Sequence, residues 1–452
     1  MTRLSRRLTQ EIKRTEVLDR ALRYNARYYQ PVSRLLRELD GMDRTARRDV
    51  SDRLTRRALK WAADTPYGPP AHVPLVDRPF TQKSDLREHP ERFQVRGAIR
   101  AKASTSGSTG IPVRLQRSLR SIASEQAFID DLLGVWDLTF RTARIARLRA
   151  DSVKPMSDAE PPYGVRTHGG RQLLLSSNHL SPSTMRWFYD ELRRFAPDVL
   201  YTHPSSGEAL ARFMEQCGLS IPIAVVLTSS ESLQPAGRLL MEHVFEATVV
   251  DYYGQAERVT FAAGLAGGAS YFNPVYGRVE LLPLDEAEAP AGCRALEIVG
   301  TGFWNDAMPL VRYRTGDRAI VPTDFGTAEL DDVTLGLLPV LGIQGRDKEH
   351  LISPRGEVLV GITNATDGIR GLMRMQVVQE SLHVVRLLVV TDPRVGRINE
   401  AELINNVRQW VPGDMRVTVE NVEQIERLPS GKTPFVIRRI QLPSDQTAAR
   451  VE

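Results

Sequence analysis

The chain has 452 residues, 42% of them hydrophobic and 25% charged, with 60 basic against 55 acidic side chains for a net charge of +5. That balance excludes a fibrous or disordered chain, and the length allows two or three domains with large cores. Cys217 and Cys293 cannot build a disulfide framework; with no basic-then-apolar leader after Met1 and no apolar run of about 18 residues, the expectation is a cytoplasmic protein without membrane insertion. The two signs of charge are interspersed along the chain, which weighs against a nucleic-acid partner.

Residues 1–64 are polar and arginine-rich at helical spacing, with Leu18 and Leu22 in one segment, Val50, Leu54, Ala58 and Trp61 in another, and Pro31 as the expected break. One apolar stripe opposite a charged face reads as helices packed on a larger body. A proline-rich connector over 65–78 and a short helix within 81–93 lead to ASTSGSTGIP at 103–112. There Gly107 and Gly110 permit close backbone approach, and Ser104, Thr105, Ser106, Ser108 and Thr109 add hydroxyl donors, the composition of a phosphate-gripping loop. A flexible Ser/Gly linker shares this composition, but the flanking apolar and basic residues and the closing Ile111-Pro112 favour the loop. Gly110 is followed by isoleucine rather than the lysine of a Walker loop, so a lysine meeting a nucleotide comes from elsewhere in a chain that holds only seven.

A helix reaches to about 138, a strand covers 144–148, and 151–162 is irregular. Ser181-Pro182 starts a helix with Met185, Phe188, Leu192 and Phe195 on one face. Next come a strand at 198–202, a helix at 208–216 closed by Gly218, a strand at 223–227, a helix after Pro235 and a strand at 247–252. Strand and helix alternate with short connections, which predicts a parallel α/β sheet. Its strands run into HPSS (203–206), TSSE (228–231) and DYYGQAE (251–257). Ligands of open parallel sheets bind beyond the carboxyl ends of the strands, so these segments predict one site, completed by the glycine loop.

Beyond Glu257 the chain turns β-rich, at 277–282, 295–299 and 311–314, followed by the polar turn Thr315-Gly316-Asp317. GRDKEHLISPRGE at 345–357 is a further candidate segment. Strands at 376–380, opening on the QVVQ run from Gln376, and at 383–390, a helix at 400–410 with Leu403, Val407 and Trp410 inward, and a strand at 417–425 form a small α+β domain. Near its end LPSGKTP, 428–434, projects Lys432.

Taken in order, STSGSTGIP, TSSE, YYGQAE, YRTGD (313–317), GRDKEHL and LPSGK resemble the adenylate-forming (ANL) superfamily, best its phenylacetate-CoA ligase and capsule-biosynthesis (CapK-like) branch, over residues 65–439. The resemblance implies an α/β fold: a large multi-layer N-terminal domain with parallel sheets plus a β-rich subdomain, and a small mobile α+β C-terminal domain. The implied boundaries are a helical segment 1–64 packed on a large domain 65–347, then 348–452. It also implies that ATP and Mg²⁺ are bound and that a carboxylic acid, aryl or acyl, attacks the α-phosphate to give an acyl adenylate and pyrophosphate. The adenylate then passes to an acceptor, coenzyme A by default; an amine, a hydroxyl or a carrier protein is the alternative, as is a homologue that binds nucleotide without catalysis.

By the same resemblance the loop from Ser104 to Gly110 holds the β- and γ-phosphates. Ser230, Glu231 and Ser232 with Asp251, Tyr252, Tyr253 and Gly254 flank the adenine, and Glu257 helps hold Mg²⁺. Asp317 accepts the ribose hydroxyls, Arg346 steadies the nucleotide, Lys348 falls at the hinge, and Lys432 offsets charge developing at the α-phosphate. Otherwise Glu257 reads as a first-turn helix carboxylate and Asp317 as a turn aspartate. His203, Ser205 and Tyr252 are candidates for an acyl pocket, and His168 and His179 are structural or share it. Two departures stand out: Ala256 replaces a common Thr or Ser, and residues 261–272 lack the Cys/His cluster of some relatives, so no structural zinc is expected.

Overall fold

The computed structural model describes residues 16–97, 100–104, 113–149, 153–155, 158–180, 183–231, 233, 235–264, 269–284, 289–290, 292–344, 351–356, 358–359, 362–366, 369–391, 395–423, 425–426 and 435–440. It opens with three helices, α1 (Glu16–Arg23), α2 (Ala26–Leu39) and α3 (Arg44–Ala63), the last started by Asp43, whose carboxylate accepts from the Ala46 N–H at 2.8 Å. Pro31 lies inside α2 instead of breaking it. The lost backbone hydrogen bond is outweighed by burial of Val32, Leu36 and Leu39, which with Val50, Leu54 and Ala58 of α3 join a core containing Phe128, Ile145, Val199 and Val225.

After α4 (Lys83–Glu88), the strands β1 (Arg100–Ser104) and β2 (Arg114–Ser118) pair antiparallel, with Ser104 opposite Arg114, so the glycine-loop segment is carried between two ladder strands. Ser118 caps α5 (Leu119–Asp131), its hydroxyl accepting from the Ser121 N–H at 3.1 Å. The large sheet follows: β3 (Ile145–Leu148), β4 (Gly164–Thr167), β5 (Gln172–Leu175), α6 (Met185–Phe195), β6 (Val199–Thr202), α7 (Pro204–Gln216), β7 (Val225–Ser229), α8 (Pro235–Val244), β8 (Thr248–Gly254), β9 (Phe261–Gly264) and β10 (Tyr271–Phe272). Its order is β10-β9-β8-β7-β6-β3-β5-β4, parallel from β5 to β8 and antiparallel at both edges. One face packs on α6, α7 and α8 through Phe188, Leu192, Phe195, Leu210 and Met241; the other packs on α2, α3 and α5. With both faces covered, Val225, Val226 and Leu227 are all fully buried, as strands inside a parallel sheet must be. α7 begins at Pro204, several residues before the expected start, because proline suits the first helical position.

The β-rich part is a four-stranded sheet, β11 (Gly277–Pro283), β12 (Cys293–Gly302), β13 (Tyr313–Pro322) and β14 (Gly342–Gln344), with α9 (Thr327–Thr334) before the last strand. Thr315-Gly316-Asp317 is not a turn but part of β13. Glu297 pairs with Arg318 and Val299 with Arg314, so three residues of β13 face Ile298 alone, and Gly316 takes φ 75° to form the bulge.

The last unit contains β15 (Leu351–Ile352), β16 (Val358–Leu359), β17 (Leu372–Ser381), β18 (Val384–Thr391), α10 (Glu400–Val407), β19 (Arg416–Asn421) and β20 (Val436–Arg438), its main sheet ordered β19-β18-β17-β20. Its core is its own: Leu403, Val407 and Trp410 pack against Val377, Leu387, Val389 and Phe435. The architecture is thus a large α/β domain with a β-rich part and a smaller C-terminal domain. Among the described residues no helix is long and apolar enough to cross a membrane.

Candidate functional site

Leu148, Thr202, Thr228 and Asp251 are aligned partners across β3, β6, β7 and β8. The next residues, Arg149, His203, Ser229 and Tyr252, therefore form one row along the carboxyl edge of the sheet. The chain leaves β3 towards β5 and leaves β6 towards β7 on the opposite side, so the β3/β6 boundary is a switch point of the kind that opens a ligand crevice.

Arg149 spans that boundary. Its Nη1 donates to Ser229 Oγ at 2.9 Å and its Nη2 to Ser230 Oγ at 2.8 Å, while the guanidinium lies 4.2 Å from the centroid of the Tyr201 ring. Ser230 holds φ at 79°, a costly region for a residue with a side chain, and its bond to Arg149 helps keep it there. Sequence reasoning missed Arg149; the one signal for it was its place immediately after the strand predicted at 144–148.

The second element of the site joins the two sheets. The bulge in β13 turns Asp317 towards the end of β8, where Tyr253 Oη donates to its carboxylate at 2.7 Å. Thr315 braces the bulge, donating to the Ile298 carbonyl at 2.7 Å and accepting from the Asp317 N–H at 3.0 Å. Gln255 donates to Tyr253 Oη at 2.5 Å, fixing the phenol from the other side. Burial, reinforced by the Asp317 charge, pushes the Tyr253 phenol well above its ordinary range, so it stays a donor to Asp317.

Below this lies Glu257, only 8% exposed, whose Oε1 accepts from the buried Tyr313 hydroxyl at 2.7 Å. Arg117, on the strand that leaves the glycine-loop segment, donates from Nη2 to the Ala256 carbonyl at 3.1 Å. Burial first, and then the neighbouring Arg258, push the Arg117 guanidinium down to about 10. Ala256 itself packs among Leu86, Val113 and Tyr313. Among the described residues no three His, Cys, Asp or Glu side chains converge as a metal cage.

The remaining expected residues are placed as follows. Asp251 accepts from Thr228 Oγ1 at 2.6 Å, and burial pushes its carboxyl up to about 6. Tyr252, expected beside both the adenine and an acyl pocket, is 8% exposed, with its ring stacked on Phe261 and its hydroxyl 2.5 Å from that of Tyr201. Its described surroundings are core. Gly254 ends β8 opposite Phe261, Ser104 ends β1, and half-buried Glu231 follows Ser230. His203 is the N-cap residue of α7, with Nδ1 3.4 Å from the Ser229 carbonyl, and Ser205 stands in the first turn of that helix. Thr105, Ser106, Gly107, Ser108, Thr109, Gly110, Ser232, Arg346, Lys348 and Lys432 lie outside the described residues.

A layered α/β domain with motif residues gathered at its strand edge, followed by a small α+β domain, is the arrangement that the resemblance to the CapK-like branch of the adenylate-forming superfamily implies. More particularly, residues 351–439 match the CapK C-terminal domain. The chain is 21% identical over 376 residues to Protein CapK of Staphylococcus aureus, covering 80% of each chain. Among solved structures it is similar to 2-hydroxyisobutyryl-CoA ligase in complex with 2-HIB-AMP and CoA, with TM-score 0.49 and 18% identity over 89% of this chain and 92% of that one. It is also similar to MbtA of Mycobacterium smegmatis, with TM-score 0.35 and 13% identity over 74% and 63%.

Proposed function

We propose that the protein uses ATP to activate a carboxylic acid as its acyl adenylate, releasing pyrophosphate, and then transfers the acyl group to an acceptor. The observation that carries this reading is the Tyr253–Asp317 bond, which joins the YYGQAE and YRTGD segments at the carboxyl edge of a parallel sheet. In this reading Asp317 takes the ribose hydroxyls, Ser230 and Tyr253 border the adenine, the loop at 104–110 holds the phosphates, and Arg346 steadies the nucleotide. The large domain spans 65–347, behind the helical segment 1–64, and 348–452 moves about Lys348. Magnesium fits here: it is commonly held by one or two carboxylates together with substrate phosphates rather than by an all-protein cage, and Glu257 offers one carboxylate. Bound Mg²⁺ would neutralise phosphate charge as the α-phosphate is attacked, and Lys432 would offset the charge that grows there. The acid is already ionised at neutral pH, so this half-reaction needs no general base.

Coenzyme A is the acceptor by default. The resemblance leaves a second reading, in which an amine, a hydroxyl or a carrier receives the acyl group. Pyrophosphate exchange into ATP, run with a panel of aromatic, aliphatic and amino acids, tests the first half-reaction. Exchange with at least one acid is expected; none with any acid, in a protein that still binds ATP, leaves a nucleotide-binding homologue instead.

A further inference from the structure

The QVVQ run on β17 has no counterpart among the nucleotide motifs, yet both of its glutamines are fully buried. Gln376 Nε2 donates to the Glu426 carbonyl at 3.0 Å, and its Oε1 accepts from the Glu426 N–H at 2.8 Å. Gln379 repeats the arrangement with Ile352, donating to its carbonyl at 2.5 Å and accepting from its N–H at 3.0 Å. A side-chain amide is chemically a peptide group, so each glutamine supplies a two-bond ladder pair where no backbone strand is available. Three residues apart on one strand, the two amides leave on opposite faces and grip different segments.

Those segments are the functional ends of the domain. Glu426 is the last described residue before 427–434, which carries Lys432, and Phe435 follows that stretch. Gln376 holds Glu426, while the neighbouring Val377 N–H donates to the Phe435 carbonyl at 2.7 Å. Adjacent residues of β17 thus hold the chain entering and leaving the lysine segment. Arg439 reinforces the clasp, bonding Glu426 at 2.7 Å and Glu380 at 2.9 Å. On the other face Gln379 holds the second residue after 345–350, the stretch that contains Lys348.

We infer that Gln376 and Gln379 are positioning residues that tie Glu426, at the entry to the Lys432 segment, and Ile352, near the start of the C-terminal domain, to one strand, and that the Gln376 clasp serves the work of Lys432. This inference rests on the adenylation reading given above. Removing the Gln376 amide frees the entry to the lysine segment without touching the nucleotide site, so it acts on kcat and not on ATP binding.

The test is a double-mutant cycle in pyrophosphate exchange with Gln376→Leu, Lys432→Ala and the double variant, and with Gln376→Met, which keeps the length of the buried side chain without the amide, as the replacement where the leucine variant does not fold. Gln376→Leu is expected to lower kcat about tenfold with KM for ATP within about twofold, and to have no further effect in the Lys432→Ala background. Losses that multiply in the double variant, or equal changes in KM and kcat, overturn the positioning role while leaving the adenylation reading intact. A Lys432→Ala enzyme with wild-type exchange overturns the lysine's role and this inference together.

Discussion

Tyr253 and Asp317, 64 positions apart in the chain, meet through a 2.7 Å hydrogen bond that closes the gap between the carboxyl end of a parallel strand and a bulge in a separate antiparallel sheet. Neither residue needs the other for its own secondary structure. The pairing arises because the bulge, braced by Thr315, redirects one carboxylate, and burial keeps the phenol protonated to donate to it.

Removing that donor while keeping the ring tests the pair. Tyr253→Phe is expected to weaken ATP binding about three- to tenfold, the worth of one hydrogen bond that holds the carboxylate in place. Asp317→Ala, which removes the acceptor itself, is expected to cost more than about tenfold. Titration with ATP followed by calorimetry reads both; an unchanged affinity in Asp317→Ala would assign the carboxylate to bracing the bulge.

Asp251 provides a pH signature. Its carboxyl, half-buried on β8 and bonded to Thr228, is pushed from 3.8 up to about 6 in the folded chain by desolvation. Below pH 4 the group is protonated in both states and contributes nothing. As pH rises from about 4 to 6 the unfolded chain gives up the proton first, so the folded state loses stability, and above pH 6 the penalty is constant at about 2–3 kcal/mol. Asp251→Asn, which keeps an acceptor for Thr228, is expected to stabilise the protein by about that amount at pH 8 and to have little effect at pH 4. Urea unfolding at the two pH values checks this; equal effects at both would mean that packing, not ionisation, sets the difference.

Periodicity made much of this fold legible. The stripe Met185, Phe188, Leu192 and Phe195 is buried as the helical spacing required, and Leu403, Val407 and Trp410 face the C-terminal core. What stayed hidden was decided by tertiary context. Gly-Asp at 316–317 is turn chemistry by composition, but in β13 it makes a bulge because Glu297 and Val299 keep their partners on either side. The β9 segment, Phe261-Ala262-Ala263-Gly264, has no β-branched residue and forms a strand only because β8 offers it a ladder. Of the site, the residues in ordered motifs were readable, whereas Arg149 and the bond from Tyr313 to Glu257 depend on a register and on a contact across 56 positions that no local pattern encodes.

The hinge proposal makes a separable prediction. Lys348→Pro fixes φ near −65° and removes an N–H at one position between the two domains, leaving Tyr253, Asp317 and Glu257 untouched. Acid-dependent pyrophosphate exchange is expected to stay within about tenfold of wild type while transfer to the acceptor is largely lost. Equal loss of both half-reactions in a folded protein would make 348 a packing position rather than a pivot.

Glu257 separates a metal ligand from a buried structural acceptor. Its Oε1 accepts from Tyr313, and a carboxamide oxygen accepts that bond as well, so Glu257→Gln changes charge with little change in shape. If the carboxylate holds Mg²⁺ against the phosphates, the Mg²⁺ concentration giving half-maximal exchange should rise about tenfold or more, and Mg²⁺ should add less to the thermal protection given by ATP. Tyr313→Phe offers the opposite combination: the charge remains and a buried donor is lost. It is expected to cost about 1–2 kcal/mol of stability and to shift the Mg²⁺ requirement only a few-fold, because the carboxylate is still present but less firmly held. Should Glu257→Gln leave the Mg²⁺ dependence unchanged while Tyr313→Phe destabilises the fold, the pair is a structural bond between β13 and the end of the parallel sheet, and the cation is held elsewhere.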